Sequence, residues 1–164
     1  MQGQGMERVG DQTLYWYSLW MGVGGTGVRA VSWECDRFGF LQPTNPSDAE
    51  VVSLPVEVLD GSGAGIYVNA SGLGEHSQLR ISLMDRGFSQ IPSYSGEDAA
   101  IVREDGFHVS VRWRDGSTRL PSQRCIRLRI RFSGARPENA RLHAIYVVGE
   151  AQKRGVRSNE RCSS

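Results

Sequence analysis

The chain is short of nearly everything that announces an activity. Lysine is almost missing: Lys153 stands alone beside 18 arginines, and 19 basic against 18 acidic residues leave a formal charge of +1. So even a balance lacks the basic excess of domains that bind nucleic acid, and no such partner is expected. Cysteine is scarce, and Cys35, Cys125 and Cys162 are odd in number and far apart. That excludes a disulfide framework and a zinc site of paired cysteines; the three are read as unbridged thiols, the first two as packing residues. His76, His108 and His143 lack the spacing that puts two imidazoles on one metal, so neither a metal nor another cofactor is expected. No run approaches the ~18 apolar residues of a membrane helix. The opening residues, Met1 to Gly10, show no apolar core with a small-residue cleavage site. A chain away from the membrane, cytoplasmic by default, is the expectation.

Helical periodicity is nearly absent too, whereas alternation with a period of two recurs, the mark of half-buried strands. Leu79, Ile81 and Leu83 alternate with Arg80 and Ser82; Phe107, Val109, Val111 and Trp113 with His108, Ser110 and Arg112; Ile126, Leu128, Ile130 and Phe132 with Arg127, Arg129 and Arg131. Near the end, Leu142, Ala144, Tyr146 and Val148 share one face, although Ile145 and Val147 make the opposite face apolar too. A strand with one apolar face must cover it with a second sheet, so the spacing predicts an all-β protein whose residues 56–148 form an antiparallel, jelly-roll-like β-sandwich. With 164 residues of which 39% are hydrophobic, the chain can fill one such domain and an appendage.

The appendage is residues 13–41. Thr13 to Trp20 is aromatic on both faces, Val28 to Trp33 reads as its hairpin partner, and three of the four Trp lie here. A two-stranded hairpin is marginal alone, and one with large apolar side chains on both faces needs cover. The sandwich, a second copy or a missing part of a sheet would supply it. Residues 42–55, with Pro43, Pro46 and Pro55, read as a linker. Residues 1–12 and 149–164 lack apolar periodicity and are expected to be disordered, the tail made basic by Lys153, Arg154, Arg157 and Arg161.

Motifs add little chemistry. Gly22 to Gly27 formally matches G-x-G-x-x-G, but Val28 to Trp33 continues as strand, not as the helix whose N-terminus would take a pyrophosphate. It is a turn. Gly61 to Gly65 has Asp60 where a nucleophile elbow needs glycine. Asn69-Ala70-Ser71 is a glycosylation sequon only in a secreted eukaryotic chain. The candidate contacts for carbohydrate are Asp85, Phe88, Tyr94, Glu97, Asp98 and Asp105, acids beside aromatics in the long connection from Asp85 to Gly106, against which stands the plainer role of a solvated loop. Arg112, Arg114, Arg127, Arg129 and Arg131 would make one basic face, for an anionic glycan or simply for solvent, if their two strands are neighbours. Tyr15, Trp16, Tyr17 and Trp20 are the candidate interaction surface.

One succession of residues is more specific than any of its pieces: Val68 to Ala70, Leu79 to Asp85, Ile91-Pro92, Tyr94-Ser95, Glu97-Asp98, Asp105, Val109 to Trp113, Ile126 to Phe132 and Ala140 to Tyr146. It covers about half of the chain and resembles the C-terminal β-sandwich of bacterial proteins similar to five-bladed propeller glycosidases (glycoside hydrolase family 32). Upstream, Gly10 to Ser18 and Asp36 to Pro43 look like the last propeller strands and the exit into the sandwich. The resemblance implies an accessory β-sandwich that braces a propeller and touches carbohydrate, the hairpin being a blade whose neighbours are missing. The family's catalytic aspartate and glutamate sit on earlier blades, no position here matches them, and no catalytic residue is assigned. Arg86 to Gln90 departs from the family's pattern before the Ile-Pro step. Two other readings remain: a glycoside hydrolase that completes its site by oligomerisation, and a self-associating interaction module.

Overall fold

The structure, a computed structural model, describes residues 2–18, 27–45, 47, 49–58, 63–122 and 125–149. Trp20, the glycine-rich turn over 22–26, Gly61 and Ser62, and the basic tail from 150 onward lie outside the described residues.

The strands in chain order are β1 (Gln2–Val9), β2 (Gln12–Ser18), β3 (Val28–Glu34), β4 (Glu50–Val52), β5 (Val56–Glu57), β6 (Gly65–Ser71), β7 (Gln78–Met84), β8 (Ala100–Val102), β9 (Gly106–Ser110), β10 (Cys125–Ser133) and β11 (Arg141–Val148). Every pairing between them is antiparallel, and no α-helix occurs among the described residues. The fold is the expected all-β sandwich. One sheet has the order β4-β10-β7-β8, with β5 also on β10, and the other the order β11-β6-β9.

Alternation explains the core directly. On β7 and β10 every second side chain is apolar, and these, Leu79, Ile81, Leu83, Ile126, Leu128, Ile130 and Phe132, are buried in one cluster with Ile66, Val68 and Ala70 of β6. The intervening arginines point outward, where Arg129 and Arg131 both reach Glu50 on β4, at 2.6 and 3.2 Å. Trp113 closes one end of the core, donating from its indole N–H to the Arg119 carbonyl at 2.9 Å and meeting the Tyr94 ring edge-on.

Three expectations need correction. Residues 2–9, expected to be disordered, form a strand, so the appendage is a three-stranded sheet of order β1-β2-β3. The ladder bonds of β2's second edge supply what apolar periodicity does not. The linker over 42–55 contains β4, because Val51 packs on the core and Glu50 meets two arginines of β10. The sandwich thus begins before residue 56. Finally, the arginines do not make one face: β9, which leads into Arg112 and Arg114, belongs to the sheet opposite β10.

Candidate functional site

A group of side chains linked to one another lies on the outer face of the β11-β6-β9 sheet, and two irregularities put it there. Along β11 the register with β6 jumps between Leu142 and Ala144, leaving His143 as the extra residue of a bulge. A bulge reverses the alternation beyond it. Leu142 is therefore in the core, but so are the partly buried Ile145 and Val147, while Tyr146 lies opposite Tyr67 on the outer face. The face expected to hold Leu142, Ala144, Tyr146 and Val148 together is split. A second jump on β9 separates Phe107 from Val109, which packs on the core. Phe107 instead lies under the Arg37 guanidinium, 4.1 Å from its ring centroid.

Residues 35–41 cross this outer face and tie the three-stranded sheet to the sandwich. Asn69, fully buried, is the hub: its amide donates to the Cys35 carbonyl at 3.1 Å, and its side-chain oxygen accepts from Arg37 Nε at 3.0 Å. Arg37 also pairs with Glu34 at 2.8 Å. The Tyr146 hydroxyl donates to Asp36 Oδ2 at 2.6 Å, and the Asp36 N–H reaches Thr13 Oγ1 on β2 at 3.4 Å. Asp36 sits at φ 55°, a left-handed turn that Asp tolerates better than most residues. Further along, Leu41 and Leu142 exchange both backbone hydrogen bonds, at 2.8 and 3.0 Å. His143 clamps the same segment. The Gly39 carbonyl, 3.1 Å from Nδ1, can only accept, so Nδ1 carries the proton and Nε2 accepts from the Ser71 hydroxyl at 2.9 Å. Beside it Phe40, Leu41 and Leu142 to Ile145 line a shallow, open depression of about 320 Å³.

A row of rings completes the site. His108 stacks on Tyr67 with centroids 3.9 Å apart and planes 17° from parallel, and its other neighbour is Tyr146 at 5.4 Å. Desolvation and then the Asp36 carboxylate push the Tyr146 hydroxyl well above its ordinary range, so it stays a donor at any working pH. Burial lowers the His143 imidazole, with the Gly39 carbonyl opposing and Arg37 and Arg141 adding to the fall. Burial lowers His108 too, and the nearby Arg8 charge of β1 adds to it. Both imidazoles favour the neutral form. Chemically the arrangement is a keyed joint: Asn69, His143 and Tyr146 of the sandwich each hydrogen-bond a residue of the 35–39 segment.

The acids and aromatics singled out for carbohydrate contact do not converge. Asp85 caps its own turn, accepting the Ser89 N–H at 2.9 Å, and Phe88 lies under Arg127, 4.1 Å from the guanidinium. Tyr94 packs on Trp113, while Glu97 and Asp98 both face Arg114, at 3.2 and 3.7 Å, joining the two sheets at that end. Asp105 is at the other end of β7, where it accepts the Leu73 N–H at 2.7 Å. Five of the six therefore share one end of the sandwich, and Asp105 does not belong with them. Of the candidate interaction surface, Tyr15 and Tyr17 stack on one face of β2 at 6.3 Å, and Trp16, on the opposite face, is exposed.

Sequence reasoning passed over Asp36, Arg37, Tyr67, Asn69, Phe107, His108, His143 and Tyr146 as a group. The available signal was Asn69, a polar residue inside an otherwise apolar strand, which must find partners if buried. Fold and site together define a β-sandwich module with a small sheet keyed to it. Comparison of the chain with protein-family models, curated proteins and solved structures finds no match.

Proposed function

We propose that this chain is a non-catalytic accessory β-sandwich of a glycosidase-like protein, which presents its three-stranded sheet to a neighbouring propeller and contacts carbohydrate at the loop end of the sandwich. The observation that carries the reading is the contrast between that sheet's base and its body. The base is locked through Asp36, Arg37, Asn69 and Tyr146, whereas Thr13 is the only buried residue on the described parts of β1, β2 and β3. Met6 is 62% exposed, Val9 51%, Val28 63% and Trp16 38%. A sheet held rigidly with apolar side chains on both faces is built to be covered, and a neighbouring blade covers by faces. The ordered resemblance to the sandwich of family 32 glycosidase-like proteins names that neighbour. The loop end, with Phe88 exposed and Glu97 and Asp98 at the surface, is the place for sugar contact.

The carboxylates favour this over a hydrolase that completes its site by oligomerisation, because each accepts from a turn N–H or an arginine. Glycan-array binding and sugar-induced thermal shifts test the reading. Binding lost in Phe88→Ala and Glu97→Gln is the expected result. A flat response to neutral and acidic glycans removes the carbohydrate contact, and release of reducing sugar by the chain alone overturns the non-catalytic role.

A further inference from the structure

The faces of the three-stranded sheet serve the bracing role; its edges are a separate matter. In the order β1-β2-β3 both outer strands turn a row of backbone N–H and C=O groups outward, and such rows template further strands unless something blunts them. The β1 edge is blunted: its register with β2 slips between Gly3 and Gly5, and a bulge there breaks the ladder. β3 carries no such device. Its seven residues pair with β2 without interruption from Val28↔Ser18 to Glu34↔Gln12, and every one but Trp33 is exposed. It has no proline, no lysine and no bulge, its two charges of opposite sign, Arg29 and Glu34, leave the stretch from Ala30 to Trp33 uncharged, and Val28, Val31 and Trp33 are residues that favour strands.

We propose that the outer edge of β3 pairs with the same edge of a second copy of this chain, giving a continuous six-stranded sheet of order β1-β2-β3-β3-β2-β1. A two-fold axis perpendicular to the sheet makes such a contact antiparallel and self-complementary. It also requires each residue to lie opposite one on the same face, so registers differ by steps of two. Only the register centred on Val31 pairs the whole strand. Val31 then faces Val31, Ala30 faces Ser32, Val28 faces Glu34, and Arg29 faces Trp33 twice, a guanidinium beside an indole. No like charges are opposed. Sliding by two residues either way leaves Arg29 or Trp33 beyond the paired stretch.

Two measurements on the full chain test this, both carrying Cys125→Ser and Cys162→Ser and keeping Cys35, which is 2% exposed. Val31→Cys treated with dibromobimane should give a 31-to-31 cross-linked dimer, identified by peptide mass, at a yield about tenfold above that of Val28→Cys, whose symmetry mate is Glu34. Sedimentation of this double-serine chain should show a concentration-dependent dimer that Val31→Lys converts to monomer while far-UV circular dichroism and the thermal midpoint of the sandwich stay unchanged. Monomer at all concentrations, or equal cross-linking at 28 and 31, overturns the proposal. Neither result touches the bracing role, which is read from the faces of the sheet, or the sugar contact, which is read from glycan binding.

Discussion

The Tyr146 hydroxyl donates a 2.6 Å hydrogen bond to the Asp36 carboxylate across 110 residues of chain. It joins the last strand of the sandwich to the turn that follows the N-terminal sheet, in a half-buried seam where water competes poorly. A hydrogen bond to a charged partner in such a place contributes about 1.5–3 kcal/mol. Tyr146→Phe should lose about that much from the joint and little from the core. Amide exchange checks it: faster exchange is expected over residues 35–41, with β7 and β10 unchanged, and uniform loss across both sheets would contradict it.

Acid should loosen the same joint. The folded imidazoles of His143 and His108 lie below the ordinary value of 6.5, so near that pH the unfolded chain binds more protons than the folded one. The stabilisation is whole above about pH 6.5. It is lost as pH falls through the depressed folded values. His143→Gln should flatten this dependence in thermal melts taken between pH 7 and 5, because a neutral amide has no proton to gain. A melt that rises on acidification would refute the sign.

A second acid limb belongs to Glu50, held below its ordinary 4.5 first by its hydrogen bond from Arg129 and then also by Arg131. Its contribution is present above about pH 4.5 and disappears as pH falls through the lowered folded value. The site is partly solvated, so Glu50→Gln should cost only about 0.2–1 kcal/mol per arginine pair, less in high salt. Urea midpoints of the two proteins at low and high salt test both statements.

In the core, Leu83 is fully buried and Leu54 is 82% exposed. Leu83→Ala should cost about 2–5 kcal/mol, the lost transfer energy plus the cavity, whereas Leu54→Ala should be within about 0.5 kcal/mol of the parent. Urea unfolding followed by tryptophan fluorescence separates them.

Gly72 combines a φ of 74° with a backbone so near the Asn139 carbonyl that a Cβ would overlap it. Gly72→Ala should destabilise by more than about 1 kcal/mol, since both the dihedral and the contact oppose a side chain. Gly116, also left-handed at φ 80° but with open space around it, should suffer only the dihedral cost. Thermal midpoints of the two variants should therefore differ.

How much of this was legible beforehand varies by element. β10 could be read almost residue by residue, because Ile126, Leu128, Ile130 and Phe132 alternate with outward side chains over an unbroken register with β7. β11 could not, because the extra residue at His143 reverses its alternation and nothing local marks a bulge. The same holds for Phe107 on β9. β1 is a strand because β2 offers an edge, a reason outside its own residues. The joint was invisible because Asp36, Asn69, His108 and Tyr146 are separated by long stretches of chain and meet only when residues 35–41 cross the sheet.

What the residues settle by themselves is the class and the core. Period-two alternation forces strands with one apolar face, and such faces must meet in pairs, so an antiparallel sandwich follows from local pattern and the hydrophobic effect. Which strands are neighbours is a different kind of fact. It depends on pairing between distant segments and on where a bulge falls, and only tertiary structure decided that the arginines of β10 look away from Arg112, that Asp105 leaves the other acids, and that a polar joint locks the aromatic sheet in place.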